Sequence, residues 1–494
     1  MVYAAGGSFH SFFMKFVIRA ICLIVSSSFA LFCQAGNPYE DWKAVHQVVS
    51  DTDDFDGDSI PALMEYYIGT SPNEPDAPDS YATIGGTASG FEFRIRQDSV
   101  VCDVTAFLSG LSREGVWERL ATANRHEGQT MIHRLSAESQ IDSYDLYRFQ
   151  LTKGLGDHFL SGADISALSK IEEQTGTFRK SGVEGDAIEL LRDAGMNMFR
   201  LRIFVDPTDR NIVVNDLEYT LELARRIRNA GAGFLLNFHY SDTWADPGKQ
   251  NKPAAWENLS FAELEETVEI YTARVIKAFT DEGIIPDIVQ VGNEVTAGML
   301  WPDGQLYIGN HTVQWFRFTD LLKAGIRGVR KATPEGVVVK VMIHIDRGGD
   351  WSGTKWFFDR MLQYGVEYDI IGLSYYPWWH GPLSQVEETF RLGSERYKKP
   401  MILVETGYPH MSNAYWSAQS DMEWEISESG QAGFLRDLSN TIRNSAGGYG
   451  LGVFYWYPEA IRVPGLSIWN GGATALFGRD GEILEGASTM RPGN

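Results

Sequence analysis

From Phe159 onward the chain alternates between apolar, strand-like runs and amphipathic helical patterns. A Ser260-Phe-Ala-Glu263 capping box, for example, opens one of these helices. Eight strand-helix units in about 320 residues match the count of a (β/α)8 barrel. The eight runs are Phe159–Ile165, Met196–Val205, Gly233–Tyr240, Pro286–Val295, Val337–Asp346, Tyr368–Pro377, Lys399–Tyr408 and Leu451–Tyr457. We therefore predict an α/β fold, a TIM barrel over residues 156–494. The alternative is a doubly wound open sheet, but Gly162-Ala-Asp164 is not the Gly-rich phosphate loop that usually marks it.

Residues 36–155 have a different texture, which predicts a small, mostly β accessory module. Segments of period 2 lie at Gly90–Arg96, Cys102–Leu108 and Tyr144–Leu151, separated by turn residues. Before them lies an acidic loop with acids at positions 1, 3, 5 and 12, namely Asp54, Asp56, Asp58 and Glu65. This is the ligand spacing of an EF-hand-type calcium loop, although Ser59 stands where glycine is expected. We predict a structural calcium site here; the alternative is a solvated acidic turn.

The N-terminus has the pattern of a secretory signal peptide over residues 1–35. Lys15 and Arg19 precede an uncharged, largely apolar run, Ala20–Phe32, which is too short to span a membrane, and Ala35 follows as a small cleavage residue. We expect a secreted protein without a membrane segment after cleavage; the alternative is a hydrophobic anchor. Either Met1 or Met14 can be the start. Of the three cysteines only Cys102 then remains, so no disulfide within the chain is expected.

The charge balance restricts the partners. The chain has 65 acidic and 43 basic residues and a net charge of -22. Such a protein repels polyanions, so nucleic acid, anionic lipid surfaces and acidic polysaccharides are poor partners. A neutral substrate remains open.

Two carboxylates follow apolar runs on nearly opposite sides of the predicted barrel: Glu294 after the fourth strand and Glu405 on the seventh. Burying a carboxylate is costly unless it has partners, and barrel enzymes carry their chemistry at the carboxyl ends of the strands. Two facing carboxylates are what glycoside hydrolysis needs, one as acid and one as nucleophile. In a retaining enzyme they lie ~5–5.5 Å apart. The histidines lack zinc-ligand spacing, so we expect no catalytic metal.

The chain resembles glycoside hydrolase family 53, the endo-β-1,4-galactanases, from about Gly162 to Phe477. The most specific block is Phe238-His-Tyr-Ser-Asp-Thr-Trp-Ala-Asp-Pro-Gly-Lys-Gln250. Other matching segments are Arg200-Leu-Arg-Ile-Phe-Val-Asp-Pro207, Gln290-Val-Gly-Asn-Glu294, Gly372-Leu-Ser-Tyr-Tyr-Pro377, Val404-Glu-Thr-Gly-Tyr408 and Phe454-Tyr-Trp456. The sequence departs from the family pattern at Phe204, Asn237 and Tyr457, which puts subsite preference in question rather than chemistry.

The resemblance implies a retaining mechanism, with Glu294 as general acid/base and Glu405 as nucleophile. It also implies that Asn293 binds the sugar 2-hydroxyl, and that Arg202 and Tyr376 orient Glu405 and keep it ionised. Further residues expected to line the sugar subsites are His239, Asp242, Trp244, His344, Trp379 and Trp456.

The function predicted from these features is a secreted, monomeric endo-β-1,4-galactanase that acts on neutral β-1,4-galactan and requires no cofactor for catalysis. One alternative is a retaining barrel hydrolase of mannan or glucan. The other is a galactan-binding protein without activity, which has no need of both glutamates.

Overall fold

The computed structural model describes His46, the seven strands between residues 82 and 153, and residues 159–490 apart from 209–210, 335–336, 420–421 and 448. Contacts divide the chain into two compact units, Met1–His158 and Phe159–Asn494. The predicted signal peptide, Cys102 and the acidic loop with Asp54, Asp56, Asp58 and Glu65 lie outside the described residues. The signal peptide and the calcium site therefore stay predictions.

The described part of the first unit consists of antiparallel strands in two sheets, in the orders β1-β2-β6-β5 and β4-β3-β7. The strands are Ala82–Thr87 (β1), Gly90–Arg96 (β2), Val104–Ser112 (β3), Trp117–Arg119 (β4), Ala123–Glu127 (β5), Thr130–Ser136 (β6) and Tyr144–Lys153 (β7). β2 coincides with a predicted segment, and β3 and β7 overlap the other two.

The second unit contains a closed barrel of eight parallel strands, in the order β8-β11-β12-β13-β16-β17-β18-β19. Its strands and two short hairpins are Leu160–Asp164 (β8), Phe178–Lys180 (β9), Val183–Gly185 (β10), Met198–Ile203 (β11), Gly233–Phe238 (β12), Ile288–Val291 (β13), Gly298–Met299 (β14), Gly304–Gln305 (β15), Lys340–Ile345 (β16), Ile370–Tyr375 (β17), Met401–Thr406 (β18) and Gly450–Trp456 (β19). Each barrel strand overlaps one predicted run, so the predicted TIM barrel is confirmed.

Helices follow the barrel strands and cover the outside of the barrel with their apolar faces. They are Leu168–Glu173 (α1), Ala187–Asp193 (α2), Leu217–Asn229 (α3), Phe261–Asp281 (α4), His311–Ala332 (α5), Trp351–Gln363 (α6), Pro377–His380 (α7), Leu383–Tyr397 (α8) and Glu428–Ser445 (α9). The predicted capping box is present at the start of α4, where Ser260 and Glu263 bond each other's backbone N–H groups. Among the residues that the structure describes, no helix is both long and apolar enough to cross a membrane.

The inside of the barrel holds a cluster of buried charges. Arg200 on β11 is fully buried, and its Nη1 lies 3.0 Å from Oδ2 of Asp164 at the end of β8. Arg202, also buried, places Nη1 3.5 Å from Oδ1 of the same aspartate. Residues two apart on a strand share one face, which is why both arginines point inward. Asp164 therefore compensates two cations that would otherwise be costly to bury.

We predict that Arg200→Met destabilises the protein by about 3–5 kcal/mol, because it removes the cation that contacts the two buried carboxylates of Asp164 and Glu405. Urea or thermal unfolding followed by circular dichroism measures the change. The matched control is Arg225→Met, which removes a surface ion pair with Glu282 and should have a much smaller effect. Equal stability of the two variants would contradict a structural role for the buried cluster.

Candidate active site

A cleft of about 340 Å³ opens at the carboxyl ends of the barrel strands. It contains the two predicted glutamates, and five of its thirteen lining residues are tryptophan or tyrosine. The lining residues are Trp244, Ala245, Asp246, Pro247, Asn293, Glu294, Asp346, Tyr376, Trp379, His380, Glu405, Trp456 and Trp469. Concave, largely aromatic clefts with a few convergent polar groups are the usual form of ligand sites.

Glu294 reaches the cleft through an unusual backbone. It follows β13 after Gly292 and Asn293, and its own backbone is left-handed, with φ 45° and ψ 51°. In a regular strand, neighbouring side chains point to opposite faces. The left-handed turn ends that alternation, so both Asn293 and Glu294 line the cleft. A glutamate in this conformation is uncommon, and such strain is found most often at functional sites.

Glu405 lies on β18 and is held by two hydrogen-bond donors. The hydroxyl of Tyr376 donates to its Oε1 at 2.9 Å, and Nη1 of Arg200 donates to its Oε2 at 3.4 Å. Its side chain is 8% exposed. Both carboxylate oxygens are therefore fixed, and the group can hold one orientation toward the cleft.

The two carboxylates lie close together, and their surroundings differ. An oxygen of Glu294 lies within 4.8 Å of an oxygen of Glu405. Burial raises the pKa of Glu294 well above its usual range, and the charges of Glu405 and Asp346 raise it further. Burial also raises the pKa of Glu405, but Arg200 and the Tyr376 hydroxyl act in the opposite direction. Glu294 therefore keeps its proton more readily than Glu405. The pKa of Glu405 is nevertheless raised and not lowered, because the effect of burial is larger than that of the Arg200 charge.

A chain of hydrogen bonds connects Arg200 to Glu294. Nε of Arg200 can only donate, so the Gln290 atom 3.2 Å away is the amide oxygen, and the Gln290 amide nitrogen faces Nδ1 of His344 at 3.0 Å. Burial lowers the pKa of His344 well below its usual range, so its ring is neutral. With Nδ1 accepting, Nε2 carries the proton and donates to Ser374 Oγ at 2.8 Å, and Ser374 donates to Glu294 Oε1 at 2.7 Å.

Asn293 is fixed from several sides. Its Oδ1 accepts from Arg200 Nη2 at 2.8 Å and from Asn237 Nδ2 at 3.1 Å, and its Nδ2 donates to the backbone oxygen of Ala245 at 2.9 Å. The second hydrogen of Nδ2 is left for a ligand. Asn237, one of the departures from the family pattern, thus takes part in positioning Asn293.

The contact predicted for Arg202 is made by Arg200. Arg202 contacts Asp164, donates to the backbone oxygen of Ile212 at 3.1 Å, and has its guanidinium 4.4 Å from the ring centroid of Trp244. Arg200 lies two residues earlier on β11, and from there its guanidinium reaches both Asn293 and Glu405. Arg202 therefore supports the Trp244 wall and does not orient Glu405.

The other predicted subsite residues fall into two groups. Trp244, Tyr376, Trp379 and Trp456 line the cleft, with Trp379 57% exposed. His239, His344 and Asp242 do not appear in its lining. Nδ1 of His239 accepts from the Ala245 backbone, and Asp242 accepts from two backbone N–H groups, those of Asp206 and Ala254. His239 and Asp242 thus hold the loop that carries Trp244.

Several residues of the site were not assigned a role from the sequence. Arg200 and Ser374 stand within the quoted motifs, and Asp346 ends a predicted run, so their positions at strand ends were a usable signal. His380 ends the short helix α7 and Trp469 follows β19, and no periodic pattern in the sequence predicts either position. Trp469 contacts Tyr376, with ring centroids 5.9 Å apart.

In the described part of the chain, three side chains could offer ligand atoms to one metal ion. Atoms of Glu294, His344 and Glu405 lie within 4.8 Å of one another. However, both nitrogens of His344 already take part in hydrogen bonds, to Gln290 and Ser374. We interpret the group as an acid/base pair with a supporting histidine, and not as a set of metal ligands.

Comparison with known proteins supports the same interpretation. The chain is 40% identical over 358 residues to an uncharacterised protein in the bgaB 5' region of Niallia circulans, covering 68% of this chain and 94% of that protein. It is 35% identical over 315 residues to a probable arabinogalactan endo-β-1,4-galactanase A of Aspergillus tubingensis, covering 62% of this chain and 86% of that protein. The solved structure of the Ignisphaera aggregans GH53 catalytic domain superposes with a TM-score of 0.63 at 34% identity, covering 68% of this chain and 97% of that domain.

Residues 160–490 match the model of glycosyl hydrolase family 53, a range that contains the whole barrel, the cleft and both glutamates. The chain therefore belongs to glycosyl hydrolase family 53 and is a glycoside hydrolase.

Proposed function

We propose that the chain is an endo-β-1,4-galactanase that cleaves β-1,4-galactan with retention of anomeric configuration. The observation that carries the mechanism is the pair of buried carboxylates whose nearest oxygens lie within 4.8 Å. Inverting enzymes need room for a water molecule between the two groups and separate them by ~6.5–9.5 Å. Oxygens that approach this closely, in a member of the family, support direct attack by one carboxylate, as the family resemblance implies.

The difference in environment supports the assignment of roles. Glu294, whose pKa is raised more strongly, is the general acid, because an acid must hold its proton at the working pH. Glu405, opposed by Arg200 and Tyr376, is the nucleophile, because it must be ionised to attack.

The reaction then has two displacements. Glu405 forms a bond to the anomeric carbon while the bond to the leaving oxygen breaks, and that oxygen takes the proton of Glu294. In the second step Glu294 removes a proton from water, and the water oxygen displaces Glu405 from the anomeric carbon. Asn293 is placed to bind the sugar 2-hydroxyl beside Glu405, as the family resemblance implies, an interaction that strengthens in the transition state.

The substrate proposal rests on the relatives and on charge. The Aspergillus tubingensis relative is named a probable arabinogalactan endo-β-1,4-galactanase. Galactan is neutral, which suits a chain of net charge -22, and its pyranose faces suit the tryptophan walls of the cleft. We further propose that the enzyme is secreted and acts as a monomer on galactan side chains of pectin or on type I arabinogalactan.

The substrate proposal is tested by incubating the purified enzyme with linear β-1,4-galactan, β-mannan and carboxymethyl-cellulose. We expect reducing ends to appear with galactan and not with the other two polymers. Preferred hydrolysis of mannan or glucan would favour another retaining barrel hydrolase. Binding to galactan without release of reducing ends would identify a non-catalytic binder.

The catalytic roles are tested with alanine variants. Glu405→Ala should abolish turnover of every substrate, because no nucleophile remains. Glu294→Ala should lower kcat on galactan by about 10²–10⁴-fold. Its loss should be smaller on an aryl glycoside whose leaving group needs little protonation, and azide should restore activity with a β-glycosyl azide product. Glu387→Ala, an exposed change on helix α8, is the control. A β-azide formed by Glu405→Ala instead would reverse the two roles.

Asp346 gives a prediction for the pH profile. Glu294 faces the charges of Glu405, Asp346 and Arg200, the hydroxyl of Ser374, the phenol of Tyr376 and the neutral His344. The negative charge of Asp346 raises the pKa of Glu294. Asp346→Asn removes that charge, so the acid loses its proton at a lower pH.

The alkaline limb of kcat/KM on galactan should therefore move to lower pH in Asp346→Asn. Asp281→Asn, at the exposed end of α4, should leave the limb in place. An unchanged or upward-shifted alkaline limb in Asp346→Asn would show that Asp346 does not act on the acid.

A further inference from the structure

Tyr307 is a large aromatic residue that the proposed mechanism does not use. It lies between β15 and α5 and is 65% exposed, yet its ring is held in place. It stacks on Trp356, with ring centroids 5.6 Å apart and an interplanar angle of 14°. Trp356 packs edge-on against the fully buried Trp315, with centroids 5.2 Å apart. One face of Tyr307 is thus supported by the protein core, and the ring offers its other face to solvent.

The backbone ties Tyr307 to the rim of the cleft. The N–H of the preceding residue, Leu306, donates to the oxygen of Ala297 at 3.0 Å, through the hairpin of β14 and β15. Ala297 is three residues after Glu294. Its neighbour Thr296 forms a hydrogen bond with Asp346, which lines the cleft. Tyr307 itself lies outside the lining of the cleft and is connected to the Thr296–Asp346 pair through this hairpin.

Electrostatics agree with this placement. Burial raises the pKa of the Tyr307 phenol, and the charges of Arg347 and Asp346 act on it. The backbone of Tyr307 is also left-handed, with φ 67°, a conformation that non-glycine residues rarely adopt. The Tyr307 ring is thus presented by a residue whose backbone conformation is strained.

The position relative to the acid decides which part of a substrate would meet the ring. The acid protonates the leaving oxygen, so the leaving-group sugars lie on the side of Glu294. Thr296 and Tyr307 follow Glu294 on one chain segment, and the charge of Asp346 acts on both Glu294 and Tyr307, which assigns Tyr307 to the side of the acid. A rigid, exposed aromatic ring matches the apolar C–H face of a pyranose.

We propose that Tyr307 is a stacking platform for a galactosyl ring on the leaving-group side of the cleft, beyond the sugar next to the scissile bond. This inference rests on the proposed galactanase function, since it needs a chain long enough to extend past Asp346. The ligand is a neutral β-1,4-linked galactosyl unit, and the interaction contributes to binding of long substrates.

The test compares Tyr307→Ala with the wild-type enzyme on two substrates. One is linear β-1,4-galactan. The other is an aryl β-glycoside of a short galacto-oligosaccharide, whose aryl group leaves no sugar to reach Tyr307. The ratio of kcat/KM on galactan to kcat/KM on the aryl glycoside should fall about three- to tenfold. Tyr307→Phe keeps the ring and should restore the ratio. Phe316→Ala, which removes a similarly exposed ring on α5, is the matched control.

A second readout uses a galacto-oligosaccharide labelled at its reducing end. Loss of a leaving-group subsite should shift cleavage toward that end in Tyr307→Ala, so that the labelled products become shorter. A wild-type ratio together with a wild-type cleavage pattern would overturn the inference and leave the proposed function intact. A wild-type enzyme without activity on galactan would overturn both.

Discussion

One buried guanidinium organises the active site. Arg200 bonds Asp164 at the end of the first barrel strand, Gln290 and Asn293 near the end of the fourth, and Glu405 on the seventh. A planar group with five donors can satisfy all four at once, which a lysine could not. Because these partners come from different strands, closure of the barrel and the geometry of the site depend on the same interactions. Burial of this charge is tolerable because each of its three nitrogens donates to at least one oxygen.

The same arrangement separates the two glutamates chemically. Glu405 receives donors from Arg200 and Tyr376, whereas Glu294 receives a single neutral hydroxyl, that of Ser374. The negative charge of Asp346 raises the pKa of Glu294 and so favours its protonated form, which is the form that an acid needs. Two identical side chains thus acquire different proton affinities from their neighbours, as general acid/base chemistry requires.

Much of this could be predicted from the sequence. Eight apolar runs alternating with helical patterns predicted the barrel, because a parallel sheet buried on both faces requires such runs. Glu294 and Glu405 stood out because a carboxylate after a buried strand is costly. Arg200 and Arg202 could not be distinguished, since both point inward and only the folded structure shows which guanidinium reaches Glu405. Ser374 has the appearance of an ordinary small core residue, and Trp469 and Tyr307 lie in loops whose paths follow no periodic pattern.

The left-handed backbone at Glu294 has a consequence for how this barrel can change. Two adjacent residues must both point into the cleft, which a pleated strand cannot arrange, so the fourth strand has to stop at Val291. The length of the fourth strand is therefore determined by the need to place Asn293 and Glu294 and not by the packing of the core. Lengthening the strand by one residue would restore the alternation and turn either the amide or the acid away from the sugar. Variation in this enzyme is accordingly closed to the strand, and also to the hairpin that follows, where a Cβ at Gly298 would clash with the backbone oxygen of Gly304.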